Sequence, residues 1–152
     1  MKKVLSLVLA VVLLAAIFTG CGSSKKEETF YNLVSGTQEL LDEYADDIYS
    51  CWHAYVYKDE YSSVDSALLA AMAMNYDNIA TIEACNERIK VLYGQVKDGK
   101  LKSEIKAVMQ AYNDYYALVM EVSGSFNSFS ADKETLKKEF SSAIRDLEFE
   151  LQ

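Results

Sequence analysis

Few residues in this chain combine the type and the spacing that chemistry needs. Two cysteines, Cys51 and Cys85, follow the one at Cys21, and His53 is the single histidine. A thiol beside an imidazole would make a nucleophile pair, but Cys51 and His53 are two residues apart. Side chains at that spacing turn away from each other on a helix. Di-iron bundles need Glu-x-x-His on two helices, and zinc proteases need His-Glu-x-x-His. One histidine, with Ser50 three residues before it, satisfies neither. Glu39, Asp42, Glu43, Asp46 and Asp47 crowd one segment and offer oxygen ligands, yet Ca²⁺ takes about six to eight oxygens from a folded loop. A straight helix presents fewer at once, so these acids read as a solvated face, with His53 exposed on the same side. No phosphate loop, nucleophile elbow or dinucleotide fingerprint occurs. No catalytic residue, metal site or cofactor is expected, and the chain reads as a non-enzyme.

The remaining polar candidates are asparagines and tyrosines. Asn75 and Asn86 interrupt an otherwise apolar stripe, and tyrosine is abundant, eleven against six phenylalanines and one tryptophan. A buried asparagine often sets helix register at some cost in stability. The alternative is a ligand groove walled by Asn75, Asn86, Tyr112 and Tyr115 that would take a small molecule or a cell-wall glycan. The other aromatics read as core margin, with the hydroxyl in water. Trp52 is expected to pack on Leu69 and Ala70.

The elements that position these residues are helices. The chain of 152 residues contains no proline, which permits long uninterrupted helices. Phe30, Leu33, Thr37, Leu40, Tyr44, Ile48, Cys51 and Tyr55 recur in steps of three and four, one face of an α-helix. The spacing predicts a helix over about 29–57, interrupted in pattern by Gly36. Ser62 or Ser63 can cap the next helix, with Asp65 at the positive end of its dipole. The second stripe is Val64, Leu68, Met72, Asn75, Ile79, Ile82, Asn86, Ile89, Tyr93 and Val96, ending at a left-handed stop at Asp98-Gly99. The third runs from Leu101 through Ile105, Val108, Tyr112, Tyr115, Val119 and Val122 to Phe126. A restart capped by Ser130 or Asp132 carries Leu136, Phe140, Ile144, Leu147 and Leu151. The expected fold is all-α, an antiparallel up-down bundle of four helices, or of three if the third and fourth are one bent helix.

Register then speaks to the cysteines. A hairpin turning near residue 60 pairs positions that sum to about 121, which places Cys51 beside Ala70 and Cys85 beside Gly36. The two sulfurs would stand about 22 Å apart along the axis, whereas a disulfide needs Cα atoms within about 7 Å. No disulfide is expected, and both thiols read as small buried hydrophobes. The same arithmetic about Asp98-Gly99 brings Tyr112 near Asn86 and predicts a hydroxyl–amide hydrogen bond.

Charge narrows the partners. The formal net charge is −8, and residues 27–87 hold thirteen acids against one base, Lys58, while 88–152 hold ten of each. A nucleic-acid binder would need a basic face, so nucleic acid is excluded as a partner.

The first twenty residues stand apart. Lys2 and Lys3 precede an apolar run from Val4 to Phe18, broken only by Ser6, and Thr19-Gly20-Cys21 follows. A positive start, an apolar middle too short for a comfortable span and a small-residue exit make an export signal. Phe18-Thr19-Gly20-Cys21, with Gly22-Ser23-Ser24-Lys25-Lys26 behind it, resembles the lipobox and tether of bacterial lipoproteins, in a Gram-positive style. Phe18 stands where that family most often has leucine. The resemblance implies cleavage between Gly20 and Cys21 and a lipid on the Cys21 thiol. On this reading, residues 1–20 are a signal peptide, 21–28 a flexible tether and 29–152 a single helical-bundle domain. The expected protein is lipid-anchored on the extracytoplasmic face of the cell membrane. There it would serve as an interaction or accessory module for an envelope protein.

Overall fold

The structure is a computed structural model that describes residues 23–152. The segment 1–20, the cleavage position at Gly20 and the lipidation position at Cys21 lie outside the described residues. The described chain is all-α, with five helices in the order α1 (Ser23–Lys58), α2 (Val64–Met74), α3 (Tyr76–Val96), α4 (Lys102–Met120) and α5 (Phe126–Leu151).

α1 is the organising element. Its 36 residues span about 54 Å at 1.5 Å per residue. It starts at Ser23, inside the segment expected to be a flexible tether, and runs through Gly36 without interruption. The periodic stripe through Phe30, Leu33, Leu40, Tyr44, Ile48 and Cys51 is buried as expected. A second line beside it, Val34, Leu41, Ala45 and Trp52, is buried too. Two adjacent lines make an apolar face wide enough for neighbours on both flanks, and α1 packs against α2, α3 and α5 and touches α4. The helix ends with Asp59 at φ 54°, a left-handed position that aspartate tolerates better than most residues. The Glu60 N–H donates back to the Ala54 carbonyl at 3.3 Å.

Ser63 caps α2 in a reciprocal box with Ser66, each side chain accepting from the other's backbone N–H at 3.1 Å. The second stripe does not form one helix. It divides at Asn75, whose φ of −110° and ψ of 19° leave the helical region. The Asn75 N–H still donates to the Ala71 and Met72 carbonyls, and its own carbonyl accepts from Ile79 N–H at 2.8 Å. Its side-chain amide also donates to the Ala71 carbonyl at 3.0 Å. The asparagine therefore bends the path without leaving the backbone unpaired.

Each remaining connection differs in detail from the periodic reading. α3 stops at Val96, with Lys97 still in right-handed conformation, and neither Asp98 nor Gly99 takes a positive φ. Gly99 is instead a close approach: a Cβ there would stand 2.6 Å from the Glu27 Oε1 of α1. The break after α4 falls at Glu121–Ser125, and the restart is capped by Ser125 rather than by Ser130 or Asp132. Gly124 turns at φ 85°, and Ser125 forms a second reciprocal cap, with Ser128. Phe126 thus opens α5 rather than closing α4, and the third and fourth stripes are separate helices. α4 and α5 share the most extensive helix contact.

Two registers follow from side-chain pairs. Asp47 meets Asn75 and Glu43 meets Asn78, so α1 and the α2–α3 arm run antiparallel with paired positions summing to 121–122. Gln38 meets Ser141, Asp42 meets Lys137, Asp46 meets Lys133 and His53 meets Phe126. All four pairs sum to 179, a single antiparallel register between α1 and α5. No helix among the described residues is long and apolar enough to cross a membrane.

Candidate functional site

The reactive side chains are dispersed and packed. Cys51 and Cys85 are both free and both buried. The Tyr61 hydroxyl donates to the Cys51 sulfur at 3.5 Å. Burial pushes the Cys85 thiol up, partly offset by a hydrogen bond with Thr37, so it resists forming the thiolate that a nucleophile requires. His53 is half-buried rather than exposed. Its ring lies 4.8 Å from that of Tyr57 and 5.9 Å from those of Tyr49 and Phe126. Trp52 packs on Phe126 and Phe129 of α5, at 6.1 and 5.8 Å between ring centroids. Its expected neighbour Leu69 is exposed.

The acid row of α1 is solvated in part: Glu39, Glu43 and Asp46 are exposed, whereas Asp42 and Asp47 are half-buried. Asp42, Asp46, Tyr49 and His53 follow steps of four and three and look onto α5. The Lys133 ammonium stands 2.7 Å from Asp46 Oδ1 and 3.3 Å from Glu134 Oε1, and 4.9 Å above the Tyr49 ring. Lys137 reaches Asp42 Oδ2 at 3.2 Å, and the Tyr115 hydroxyl donates to Asp42 Oδ1 at 2.7 Å. Lys133 is only 7% exposed. Burial alone would push its ammonium down, but the hydrogen bonds and charges of Asp46 and Glu134 outweigh that and hold it above the usual lysine value. On the other flank, Asn75 donates to Asp47 Oδ2 at 2.8 Å and Asn78 donates to Glu43 Oε2 at 3.2 Å. Asn78 also donates to Asn75 Oδ1 at 3.1 Å. Among the described residues, no group of three or more metal-ligating side chains is placed to hold an ion.

The four residues of the expected ligand groove lie inside the packed helices. Asn75, Asn86, Tyr112 and Tyr115 are all buried, and each makes an internal hydrogen bond. The Tyr112 hydroxyl donates to Asn86 Oδ1 at 3.1 Å, the bond that pairing about Asp98-Gly99 implies. Burial raises both phenols far above the ordinary tyrosine value; for Tyr115 the Asp42 carboxylate adds to it. One open depression, between α4 and α5, is lined by Ser103, Glu104, Ala107, Glu139, Ala143 and Asp146 and touches none of the four.

Two features escaped the periodic reading. Lys133 falls on the buried stripe of α5, four residues after Phe129 and seven before Phe140. A lysine at such a position signals an acid on the facing helix. The second feature is a run of exposed apolar side chains on α2 and at the start of α3. Leu69 and Met72 of α2 and Tyr76 of α3 are 63%, 46% and 77% exposed. The inner face of α2 buries only Ala67 and Ala71.

No protein-family model, curated protein or solved structure matches this chain.

Proposed function

We propose that the protein is a lipoprotein held through a lipid on Cys21 at the extracytoplasmic face of the cell membrane. Its helical domain is a non-enzymatic interaction or accessory module for an envelope protein. In this reading the domain is an antiparallel up-down bundle of four arms, with α2 and α3 as one bent arm. The observation that carries the anchor is the order Lys2-Lys3, apolar Val4–Phe18, Thr19-Gly20-Cys21 and polar Gly22–Lys26. What supports an interaction role over a reaction is the use of the polar side chains. Asp42, Asp46, Tyr115 and Lys133 are engaged in contacts between helices, and the thiols are buried. The glycan or small-ligand reading has less support, because Asn75, Asn86, Tyr112 and Tyr115 are buried.

Growth of producing cells with a clickable fatty acid tests the anchor. Label is expected on the wild-type chain and absent from Cys21→Ser; label retained by Cys21→Ser would reject the assignment. Crosslinking of the anchored protein in intact cells tests the module, with a defined envelope protein expected in the adduct. Saturable thermal stabilisation by a soluble glycan or metabolite would instead favour the ligand reading, because a ligand bound to the native state raises apparent stability.

A further inference from the structure

α2 is apolar on both sides, which its place in the fold does not require. The inward side buries Ala67 and Ala71, with Val64 and Leu68 packed against the core beside them. The outward side of α2 carries Leu69 and Met72, and Tyr76 follows at the start of α3. Leu69 and Met72, three residues apart, share one solvent-facing side of α2, and Tyr76 is exposed just past the bend at Asn75, so the apolar line is interrupted there. Three large exposed side chains within eight residues differ from the scattered single hydrophobes of ordinary surfaces, and exposed apolar patches mark contact sites. The charges nearest the line are acidic: Asp65 precedes Leu69 by one turn and Asp77 adjoins Tyr76, and both are exposed. Asp59 and Glu60 lie just before the helix, where Lys58 stands 4.0 Å from Glu60. From Asp59 to Glu87 the sequence contains six acids and no lysine or arginine.

That charge selects the occupant. A second copy meeting this face would bring Asp65 and Asp77 against their own duplicates, and like charges across an interface are unfavourable. An anionic membrane surface would be repelled for the same reason. Position argues against the membrane as well. α2 lies along the last part of α1, with Asn75 bonded to Asp47, about 36 Å along the helix from Ser23.

We infer that the Leu69–Met72–Tyr76 line docks a basic amphipathic segment of a partner protein. Its apolar side would cover the line, and its lysines or arginines would face Asp65 and Asp77. This rests on the interaction reading of the domain and names the surface and the partner chemistry. Apolar anchors would supply most of the affinity, and the acidic rim would speed and orient encounter.

The test titrates the purified full-length chain, in mild non-ionic detergent, into a dye-labelled helical peptide built from leucine and lysine. Saturable binding is expected that weakens as salt is raised. Burial of a large apolar side chain implies a loss of about tenfold or more for Leu69→Ser and for Tyr76→Ser. Phe149→Ser, which alters an exposed aromatic on α5, should bind like wild type. Circular dichroism of each variant verifies the fold, and two separate line variants guard against loss of either one. Equal affinity across all variants would overturn the inference. So would equal binding of a leucine–glutamate peptide. A dimer seen in sedimentation and abolished by Leu69→Ser would assign the line to a second copy and overturn it. Phosphatidylglycerol vesicle binding abolished by the same substitution would assign it to lipid, with the same consequence. The titration uses no bilayer, so failure of the anchor reading would leave its result intact, and failure of peptide binding would leave the Cys21 label intact.

Discussion

At the scale of the residue, the Lys133–Asp46 contact is asymmetric in a way that mutation can read. Lys133 is buried, whereas the Asp46 side chain is about half exposed. Asp46→Asn removes the closest carboxylate from a buried ammonium and is expected to cost about 2–4 kcal/mol in urea unfolding. Lys133→Met keeps an unbranched stem beside Tyr49 and lets Asp46 take up water, so it should stay within about 1 kcal/mol of wild type. Tyr112 and Asn86 form a second unit. Tyr112→Phe leaves the Asn86 carbonyl oxygen without its donor and should cost about 1–2 kcal/mol. Asn86→Leu added to Tyr112→Phe should cost less than the sum of the two single changes, a coupling measured by the four-protein cycle. These two pairs differ in how far the sequence disclosed them. Tyr112–Asn86 follows from the register about a single short turn. Lys133–Asp46 joins residues 87 positions apart, and no local count connects α1 to α5.

At the scale of the element, helix identity was legible and helix boundaries were less so, for a definite reason. Apolar periodicity reports which face is buried, whereas ends depend on single backbone groups finding partners. The periodic reading carried α4 through Phe126 because that residue keeps step with Val119 and Val122. The reciprocal Ser125–Ser128 cap and Gly124 end the pattern earlier. The bend at Asn75 was hidden likewise: an asparagine in an apolar stripe predicted burial, which holds, but the break depends on its side chain bonding Ala71 and Asp47. Two glycines give opposite expectations. Gly124 has φ 85° with Ser128 Oγ 2.9 Å from a Cβ position, so Gly124→Ala should destabilise by about 1 kcal/mol or more. Gly94 lies on an exposed turn of α3 with nothing within 4 Å of a Cβ. Gly94→Ala should therefore stabilise by about 0.5–1 kcal/mol, read as a rise in thermal midpoint.

At the scale of the whole molecule, the buried hydroxyls set an alkaline limit. Tyr112 and Tyr115 have pKa values raised in the folded state, first by burial, and Lys133 is raised by its acid partners against burial. A raised folded pKa contributes stability that is complete below the unfolded value and is lost as pH climbs from there towards the folded value. The contribution is therefore intact at neutral pH and declines from about pH 10 upward, where unfolded tyrosine and lysine lose protons. Tyrosinate absorbance should show the two buried phenols ionising together with loss of helical circular dichroism. Two phenols ionising in a chain that stays helical would reject the buried arrangement. The sequence by itself determined the all-α class, the antiparallel hairpin of α1 with the α2–α3 arm and the separation of Cys51 from Cys85. Each of those depends on periodicity and on one short connection. Only the tertiary structure decided that Asp42 and Asp46 of α1 face α5 and that Leu69 and Met72 of α2 face outward. Those outcomes depend on which helix lies on which flank of α1. That choice is made by two adjacent buried lines and by partners far apart along the chain, not by the spacing within any one helix.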